Sequence, residues 1–177
     1  ARGYEFSDDA RVFTVFLREG MKWSDGVPFT ADDVMFWVND IIGNEELTPT
    51  VPRDYAAGGE LVVGEKLDDY TVRFTSAAPN PRILELFSTS LLVNLPFAPK
   101  HALSDYHKTY SDAAESLAEE AGFDNWMNHF RSVAGLDAEN QQSVGLPTLN
   151  PYYIGSIDSV NTKRYERNPY YFKVDVA

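Results

Sequence analysis

The most informative stretch of the chain is residues 13–34, which read FTVFLREGMKWSDGVPFTADDV. At its start, every second residue is a large apolar one: Phe13, Val15 and Leu17. This alternation, in a segment rich in β-branched and aromatic residues, predicts a half-buried strand over residues 11–18. Ser24-Asp25-Gly26 then offers side-chain acceptors for a turn and a glycine for positive φ, so we expect the chain to turn there.

The second half of this stretch carries the signals of a helix start. Thr30 and Asp33 have the spacing of a capping box, and Asp32 adds negative charge where the helix dipole favours it. The apolar residues that follow recur at helical spacing: Val34, Trp37, Val38, Ile41 and Ile42. We therefore predict a helix that begins at Thr30, buries this stripe and ends at Gly43.

The remainder of the chain predicts short helices and hairpins joined by irregular segments. The predicted β-segments are Leu61–Lys66, its partner Tyr70–Ser76 across the Asp68-Asp69 turn, and a segment from Tyr152 to Arg167. The predicted helices are residues 81–90 after Asn80-Pro81, an acidic helix capped by Ser111 with Ala114, Leu117, Ala118 and Ala121 inward and Gly122 at its end, and residues 124–131 with Trp126 and Phe130. A long loop over residues 43–59 and a connector over residues 134–150 complete the prediction. The fold class is therefore α+β, with a mixed sheet or hairpins and several short helices.

The length and composition of the chain exclude several classes of protein. The 177 residues carry 15 Lys and Arg against 27 Asp and Glu, for a net charge of −12, and 14% of them are aromatic. The length is that of one domain, and the aromatic side chains supply enough apolar surface for a core. The acidic balance argues against a nucleic-acid partner, because phosphate backbones attract basic surfaces. The absence of Cys excludes disulfides, thiolate metal sites and a cysteine nucleophile.

No enzyme template fits the sequence. The three histidines, His101, His107 and His129, are scattered without the spacing of a metal site or a catalytic triad. The chain has no nucleophile elbow, no phosphate-binding loop and no dinucleotide fingerprint. The adjacent acidic pairs at residues 32–33 and 68–69 are explained by helix capping and by a turn. The numerous tyrosines could line a groove, so residue-level reasoning ends at an α+β domain that could bind a ligand.

The run from Phe13 to Val34 closely resembles the signature of the family 5 extracellular solute-binding proteins, the peptide-, nickel- and oligosaccharide-binding receptors of ABC importers. Three further stretches resemble the same family in the expected order: residues 67–74, residues 98–101 and residues 165–175, which contain Arg167-Asn168-Pro169. The resemblance implies part of the first lobe of a two-lobed, periplasmic-binding-protein-like fold of class II. It also implies that residues 1–177 are a single domain excised from a receptor of roughly 500–600 residues, a length that folds as several domains.

The resemblance implies transport rather than catalysis. We expect the substrate-binding component of an ABC-type importer, which captures oligopeptides or dipeptides by closing two lobes on them and needs no cofactor or metal. An oligosaccharide-binding receptor of the same family is the alternative ligand class. Two alternatives of other classes are a protein-interaction domain and a carboxylate-using hydrolase.

The resemblance also assigns roles to residues. It implies structural roles for Trp23, Ser24, Asp25 and Gly26, with Trp23 packed and the other three forming a turn, and for Asn168 and Pro169 in the exit motif. For ligand contact we single out residues 48–57, where Tyr55 is the sole aromatic residue. The expected partners are a peptide or oligosaccharide ligand and the ABC permease subunits. We expect a monomer in the periplasm or outside the cell, held at the membrane by a lipid anchor or by permease docking.

Overall fold

The protein is described by a computed structural model that covers residues 1–88, 97–136, 143–158, 160 and 162–173. The chain divides into two compact units. Unit 1 consists of Ala1–Glu19 and Thr30–Ala98, and unit 2 consists of Gly20–Phe29 and Pro99–Ala177. Each unit is therefore built from two separate segments of the chain. Among the described residues, no helix is long and apolar enough to cross a membrane.

Unit 1 is built on a four-stranded antiparallel sheet of β1 (Gly3–Phe6), β2 (Val12–Phe16), β5 (Val63–Asp68) and β6 (Thr71–Thr75). The strand order across the sheet is β1-β2-β6-β5, and a small ladder joins β3 (Ala56–Ala57) to β4 (Glu60–Leu61). In the centre of the sheet, Phe13 lies opposite Phe74 and Val15 opposite Val72, and all four side chains are buried. The predicted strand at residues 11–18 and the predicted hairpin at residues 61–76 are confirmed, whereas β1 has no counterpart in the prediction.

The predicted helix start at Thr30 is confirmed in its atomic detail. The Thr30 hydroxyl accepts a hydrogen bond from the Asp32 amide at 3.3 Å, and the Asp33 carboxylate accepts one from the Thr30 amide at 2.9 Å. Helix α1 spans Ala31–Met35 and continues as a π-helix over Phe36–Ile42, which sequence reasoning did not predict. The five predicted stripe residues are all buried, and the helix ends at Gly43 as predicted.

The helix packs on the sheet where β5 has no side chain. A Cβ atom added to Gly64 would lie 3.0 Å from the Met35 methyl carbon and 3.5 Å from a Val38 methyl group. Such close contacts require the helix side chains to shift, so a glycine at this position allows the close approach. Next to it, the Lys66 ammonium lies 2.9 Å from the Asp32 carboxylate and 2.8 Å from that of Asp69. The hydrogen bonds that Lys66 donates to Asp69, first, and to Asp32 raise the pKa of Lys66.

Two segments of unit 1 differ from the sequence-based prediction. The predicted long loop over residues 43–59 contains a 3₁₀ turn at Arg53–Tyr55 and the strand β3. Its start is anchored by the Thr48 hydroxyl, which donates to the Ile41 carbonyl at 2.7 Å. The predicted helix over residues 81–90 is present as α2, Ile83–Ser88, and its last two predicted residues lie outside the described residues.

The longer segment of unit 2, Pro99–Ala177, begins with helices, and a hairpin follows them. Its elements are α3 (Lys100–Leu103), a 3₁₀ turn (Ser104–Tyr106), α4 (Ala114–Glu120), α5 (Trp126–Ala134), and the antiparallel pair β7 (Tyr152–Ile157) and β8 (Lys163–Arg167). The predicted helix at residues 124–131 and the predicted β-segment are confirmed. Asn125 caps α5 by accepting the Asn128 amide at 2.9 Å.

The predicted cap of the acidic helix is wrong. Ala113 occupies the N-cap of α4 and no side chain caps it, while Ser111 contributes its backbone carbonyl to the Ala114 amide. The expected inward position of Ala121 is also wrong, because this residue is exposed. The predicted end is correct: Gly122 has φ +82° and its amide donates to the Glu119 carbonyl, while the Phe123 amide donates to that of Ala118. This is the Schellman pattern of a glycine-terminated helix.

A buried histidine lies among the aromatic residues of unit 2. The His129 side chain stacks on Phe123 at 4.9 Å between ring centroids and meets the edge of Tyr106 at 5.1 Å. Its Nδ1 atom is buried and has no hydrogen-bond partner among the described residues. Burial lowers the pKa of His129 from its ordinary value of 6.5, because an imidazolium would lose its hydration there.

We predict that unit 2 loses stability as the pH falls through the ordinary histidine range. Between the lowered pKa and 6.5, the unfolded chain binds more protons at His129 than the folded chain does, so acidification favours unfolding. His129→Phe should flatten the fall of the unfolding temperature between about pH 7.5 and about pH 5.5. Thermal unfolding followed by circular dichroism at several pH values measures this slope, and an unchanged slope in the variant would contradict the prediction.

Candidate functional site

The sequence motif Trp23-Ser24-Asp25-Gly26 forms the tip of a small reversal of the chain in unit 2. The Gly26 amide donates to the Trp23 carbonyl and the Trp23 amide donates to the Val27 carbonyl, both at 2.9 Å. Gly26 has φ +91°, a left-handed conformation that glycine adopts without strain. The Trp23 side chain is 2% exposed and meets Phe29 edge to face. The turn is thus closed by backbone hydrogen bonds and anchored by a buried indole.

Ser24 connects this turn to the segment that precedes the hairpin. Its amide donates to the Thr148 carbonyl at 3.0 Å, and its hydroxyl accepts from the Thr148 amide at 3.1 Å. The pairing joins residues 124 positions apart in the sequence. Sequence reasoning assigned Thr148 to an irregular connector and gave it no role, because nothing in the local pattern identifies so distant a partner.

Asn168 is the most heavily hydrogen-bonded side chain of this arrangement. Its amide nitrogen donates to the carbonyls of Thr148 and Asn150 at 3.2 and 2.9 Å, and its amide oxygen accepts from the Tyr170 backbone at 2.8 Å. The side chain is 1% exposed. Pro169 follows it and favours the extended backbone at Asn168. The structure therefore brings together the two motifs, Trp23 to Gly26 and Asn168-Pro169, through the segment at residues 148–150.

The outer side of the turn carries aromatic and ionisable groups. The Tyr170 ring lies against Gly26, and a Cβ atom added to Gly26 would lie 3.1 Å from the Tyr170 hydroxyl oxygen. The Lys22 ammonium lies 5.4 Å from the centroid of the same ring. The Asp25 carboxylate is 2.7 Å from His101 Nε2. With Tyr170 44% exposed, this surface offers an aromatic ring beside groups that form hydrogen bonds. Such a set can bind a polar ligand, and within the described ranges no group of three or more His, Asp or Glu side chains could hold a metal ion.

Tyr55, the predicted ligand contact, lies in unit 1. Its side chain is 2% exposed, and its hydroxyl accepts a hydrogen bond from the Trp37 indole nitrogen at 2.8 Å. Trp37 belongs to the π-helix and is itself buried. The structure thus gives Tyr55 a role in the core of unit 1, and its contact with a ligand stays a prediction.

The whole chain, residues 1–177, matches the family model described as bacterial extracellular solute-binding proteins, family 5 Middle. The chain belongs to this family. The membership predicted from residues 13–34 is confirmed, and the family is one of solute-binding proteins rather than enzymes, so the hydrolase alternative is wrong.

Individual relatives bind different solutes. The chain is 32% identical to the periplasmic alpha-galactoside-binding protein of Rhizobium meliloti over 177 residues, which are 100% of this chain and 23% of that protein. It is 36% identical to a solved oligopeptide-binding protein OppA, with a TM-score of 0.83, and covers 26% of that chain with 99% of its own length. It is 29% identical to the periplasmic binding protein MelB of Agrobacterium fabrum C58, solved in complex with stachyose, with a TM-score of 0.74 over 99% of this chain and 24% of that one.

These similarities confirm the predicted α+β fold as part of a two-lobed binding protein. The chain spans about a quarter of the length of the relatives it matches, 23% to 26% for the three above. That residues 1–177 are a single domain of a longer receptor stays a prediction.

We predict that Asn168→Ala destabilises unit 2 by about 1–3 kcal/mol, because the Asn150 carbonyl and the Tyr170 amide lose their part-buried hydrogen-bond partner, while the Thr148 carbonyl keeps the Ser24 amide. Asn128→Ala is the matched control: Asn128 is exposed on α5, and its replacement should change stability by less than about 0.5 kcal/mol. Urea unfolding of the full-length variants measures both changes in stability, and hydrogen exchange at residues 148–170 shows whether the loss lies in this part of unit 2. Equal effects of the two substitutions would show that the Asn168 network contributes little.

For Tyr55→Phe we predict a stability loss of about 1–2 kcal/mol, whatever the effect of this substitution on ligand affinity. The variant keeps the buried ring but leaves the Trp37 N–H without its acceptor. Tyr153→Phe is the control, since the Tyr153 hydroxyl donates to Glu166 at an exposed site and its loss should cost little. Unfolding and calorimetric titration of the full-length protein separate the two effects. A weaker ligand affinity in Tyr55→Phe alone would support the predicted ligand contact, whereas equal stability losses in the two variants would contradict the role of the hydrogen bond to Trp37.

Proposed function

We propose that the full-length protein is the solute-binding component of an ABC-type importer and captures oligopeptides. The observation that carries this proposal is the family match over all 177 residues. The similarity to oligopeptide-binding protein OppA, at 36% identity and a TM-score of 0.83, supports the peptide class. Two lobes would close on the peptide, and ligand binding would favour the closed form because that form makes more contacts with the ligand.

An oligosaccharide is the second candidate ligand, and specific observations favour it. A relative that matches the entire chain at 32% identity is an alpha-galactoside-binding protein, and MelB was solved with stachyose. Sugars bind to clefts that combine aromatic faces with hydrogen-bonding groups, as peptides do. The exposed Tyr170 beside Asp25 and His101 fits either class, so the chemistry of this surface does not separate them.

The proposal includes a location and a partner. The alpha-galactoside-binding relative is periplasmic, which supports a periplasmic or extracellular location for this protein. The partner would be the permease subunits in the membrane, reached by docking of the closed form or held nearby by a lipid anchor. We propose that the receptor acts as a monomer, because one pair of lobes suffices to enclose one solute.

The test is native mass spectrometry of the full-length protein purified without added ligand. Because the proposed cleft encloses its solute, we expect a bound molecule to survive purification and to add mass to part of the sample. A series of peptide masses would support the peptide class, and hexose increments would support the oligosaccharide class. Calorimetric titration with a peptide library and with raffinose-type oligosaccharides then measures affinity. A protein that arrives empty and binds neither library would favour the protein-interaction alternative and overturn the proposal.

A further inference from the structure

All histidines of the chain belong to unit 2, and two of the three are buried. Unit 2 contains His101, His107 and His129, whereas the sequence segments of unit 1 contain no histidine. The His107 side chain is 0% exposed and that of His129 is 8% exposed. Histidine is the side chain whose charge ordinarily changes in the mildly acidic range, near about pH 6.5. Mild acidification therefore adds histidine charge to unit 2 and none to unit 1.

The two buried imidazoles connect the same two elements, and each element contributes one of them. His107 directly follows the 3₁₀ turn Ser104–Tyr106, and its ring centroid lies 4.9 Å from that of Trp126 and 5.2 Å from that of Phe130, both on α5. His129 belongs to α5, and its ring meets Tyr106 of the turn at 5.1 Å. We call this contact the histidine interface, which consists of Tyr106, His107, Trp126, His129 and Phe130.

The hydrogen bond at His107 exists only while one ring nitrogen carries no proton. The Thr109 backbone amide donates to His107 Nδ1 at 3.2 Å. An imidazole nitrogen that accepts a hydrogen bond presents a lone pair, and both ring nitrogens become donors in the charged form. A proton on Nδ1 would thus remove the acceptor of the Thr109 amide and turn two N–H groups towards each other.

A proton on His129 Nδ1 would likewise be unfavourable. This atom is buried and has no hydrogen-bond partner among the described residues. The Phe123 ring stacks on the imidazole at 4.9 Å, so apolar surface adjoins it. Burial lowers the pKa of His129. Because described residues already shield Nδ1, chain outside residues 1–177 could reach this atom only by displacing them.

The charged groups around the interface do not compensate a charge at His129. The titratable groups on the elements packed there are Lys100 and His101 on α3, Asp105 in the turn, Glu115, Glu119 and Glu120 on α4, and Arg131 on α5. The Glu115 carboxylate accepts the Trp126 amide at 3.0 Å, and His101 contacts Asp25. The Lys100 ammonium lies 4.8 Å from the Tyr110 ring, which meets His107 at 5.6 Å. Within the described ranges, none of these groups bonds to His129.

We propose that the histidine interface is a pH-sensitive switch, in which protonation of His107 and His129 releases α5 from the 3₁₀ turn while unit 1 keeps its structure. The released rings are hydrated and accept protons that the packed rings exclude. An imidazole that stays neutral when packed and titrates near 6.5 when released makes release about tenfold more favourable at pH 5.5 than at pH 7.5. This release is a local change, distinct from the fall in overall stability predicted above, and it does not depend on which solute the protein binds.

Hydrogen exchange of the full-length protein at about pH 7.5 and about pH 5.5 tests the release. After correction for the pH dependence of the intrinsic exchange rate, we expect the protection of the amides of Trp126–Ala134 to fall at least about tenfold. The protection of β2 and β6 in unit 1 should change by less than about twofold. Equal losses in both units, or unchanged protection of α5, would overturn the proposal.

Variants that cannot titrate show whether these two histidines cause the release. His107→Asn offers an amide oxygen as an acceptor for the Thr109 amide, and His129→Phe keeps an aromatic ring. In a protein with both substitutions, the loss of α5 protection should shrink to less than about threefold. His101→Gln is the matched control, because His101 contacts Asp25 outside the interface, and it should leave the full loss in place. A full loss in the double variant would contradict the proposal.

Nitrogen NMR of the imidazoles in the unsubstituted full-length protein gives a test that does not depend on the folding of a variant. The ring signals of His107 and His129 are assigned by their through-space contacts to Trp126 and Tyr106. We expect both rings to gain their protons over the same pH range in which α5 loses protection. Either ring in its charged form while the α5 amides remain protected would overturn the proposal.

Discussion

The buried amide of Asn168 is the interaction on which the arrangement of unit 2 depends. One planar group donates to two carbonyls and accepts one amide, so it fixes residues 148–150 relative to residues 168–170. Because Thr148 also exchanges two hydrogen bonds with Ser24, the position that Asn168 gives Thr148 in turn fixes the Trp23 to Gly26 turn. An Asp or a Leu at position 168 lacks this combination of donor and acceptor, since the first has no N–H donor and the second has no polar atom.

The arrangement of unit 1 likewise depends on side chains that satisfy backbone groups, in this case at the start of a helix. The first backbone amides of a helix have no partner within it, and the Thr30 and Asp33 side chains satisfy two groups at this end. Once the helix start is fixed, its apolar stripe can lie on the sheet, where Gly64 leaves room for Met35. Polar satisfaction sets the position of the helix, and apolar burial supplies most of the free energy that holds it there.

The features that sequence reasoning predicted are those whose cause is local. The capping box, the alternation of β2 and β6 and the glycine end of α4 each depend on residues within a few positions of one another. The features that it missed depend on distant partners or on competition between partners. The pairing of Ser24 with Thr148 spans 124 positions, the Trp37 bond to Tyr55 removes that tyrosine from the surface, and the acidic helix begins without the Ser111 cap. The π-helix has no local signal either, because its apolar residues fit an α-helix equally well.

The residues that identify the family are the residues that build its fold. They therefore show to which family the chain belongs without showing which class of ligand it binds. The polar atoms of Ser24 and Asn168 are engaged in internal hydrogen bonds, and Trp23 is buried, so these atoms are not available to choose between a peptide and a sugar. Relatives that bind an alpha-galactoside, an oligopeptide and stachyose accordingly match this chain at comparable identity, 32%, 36% and 29%. Selection for a new solute can therefore change the residues that face the ligand while it leaves this internal hydrogen-bond network intact.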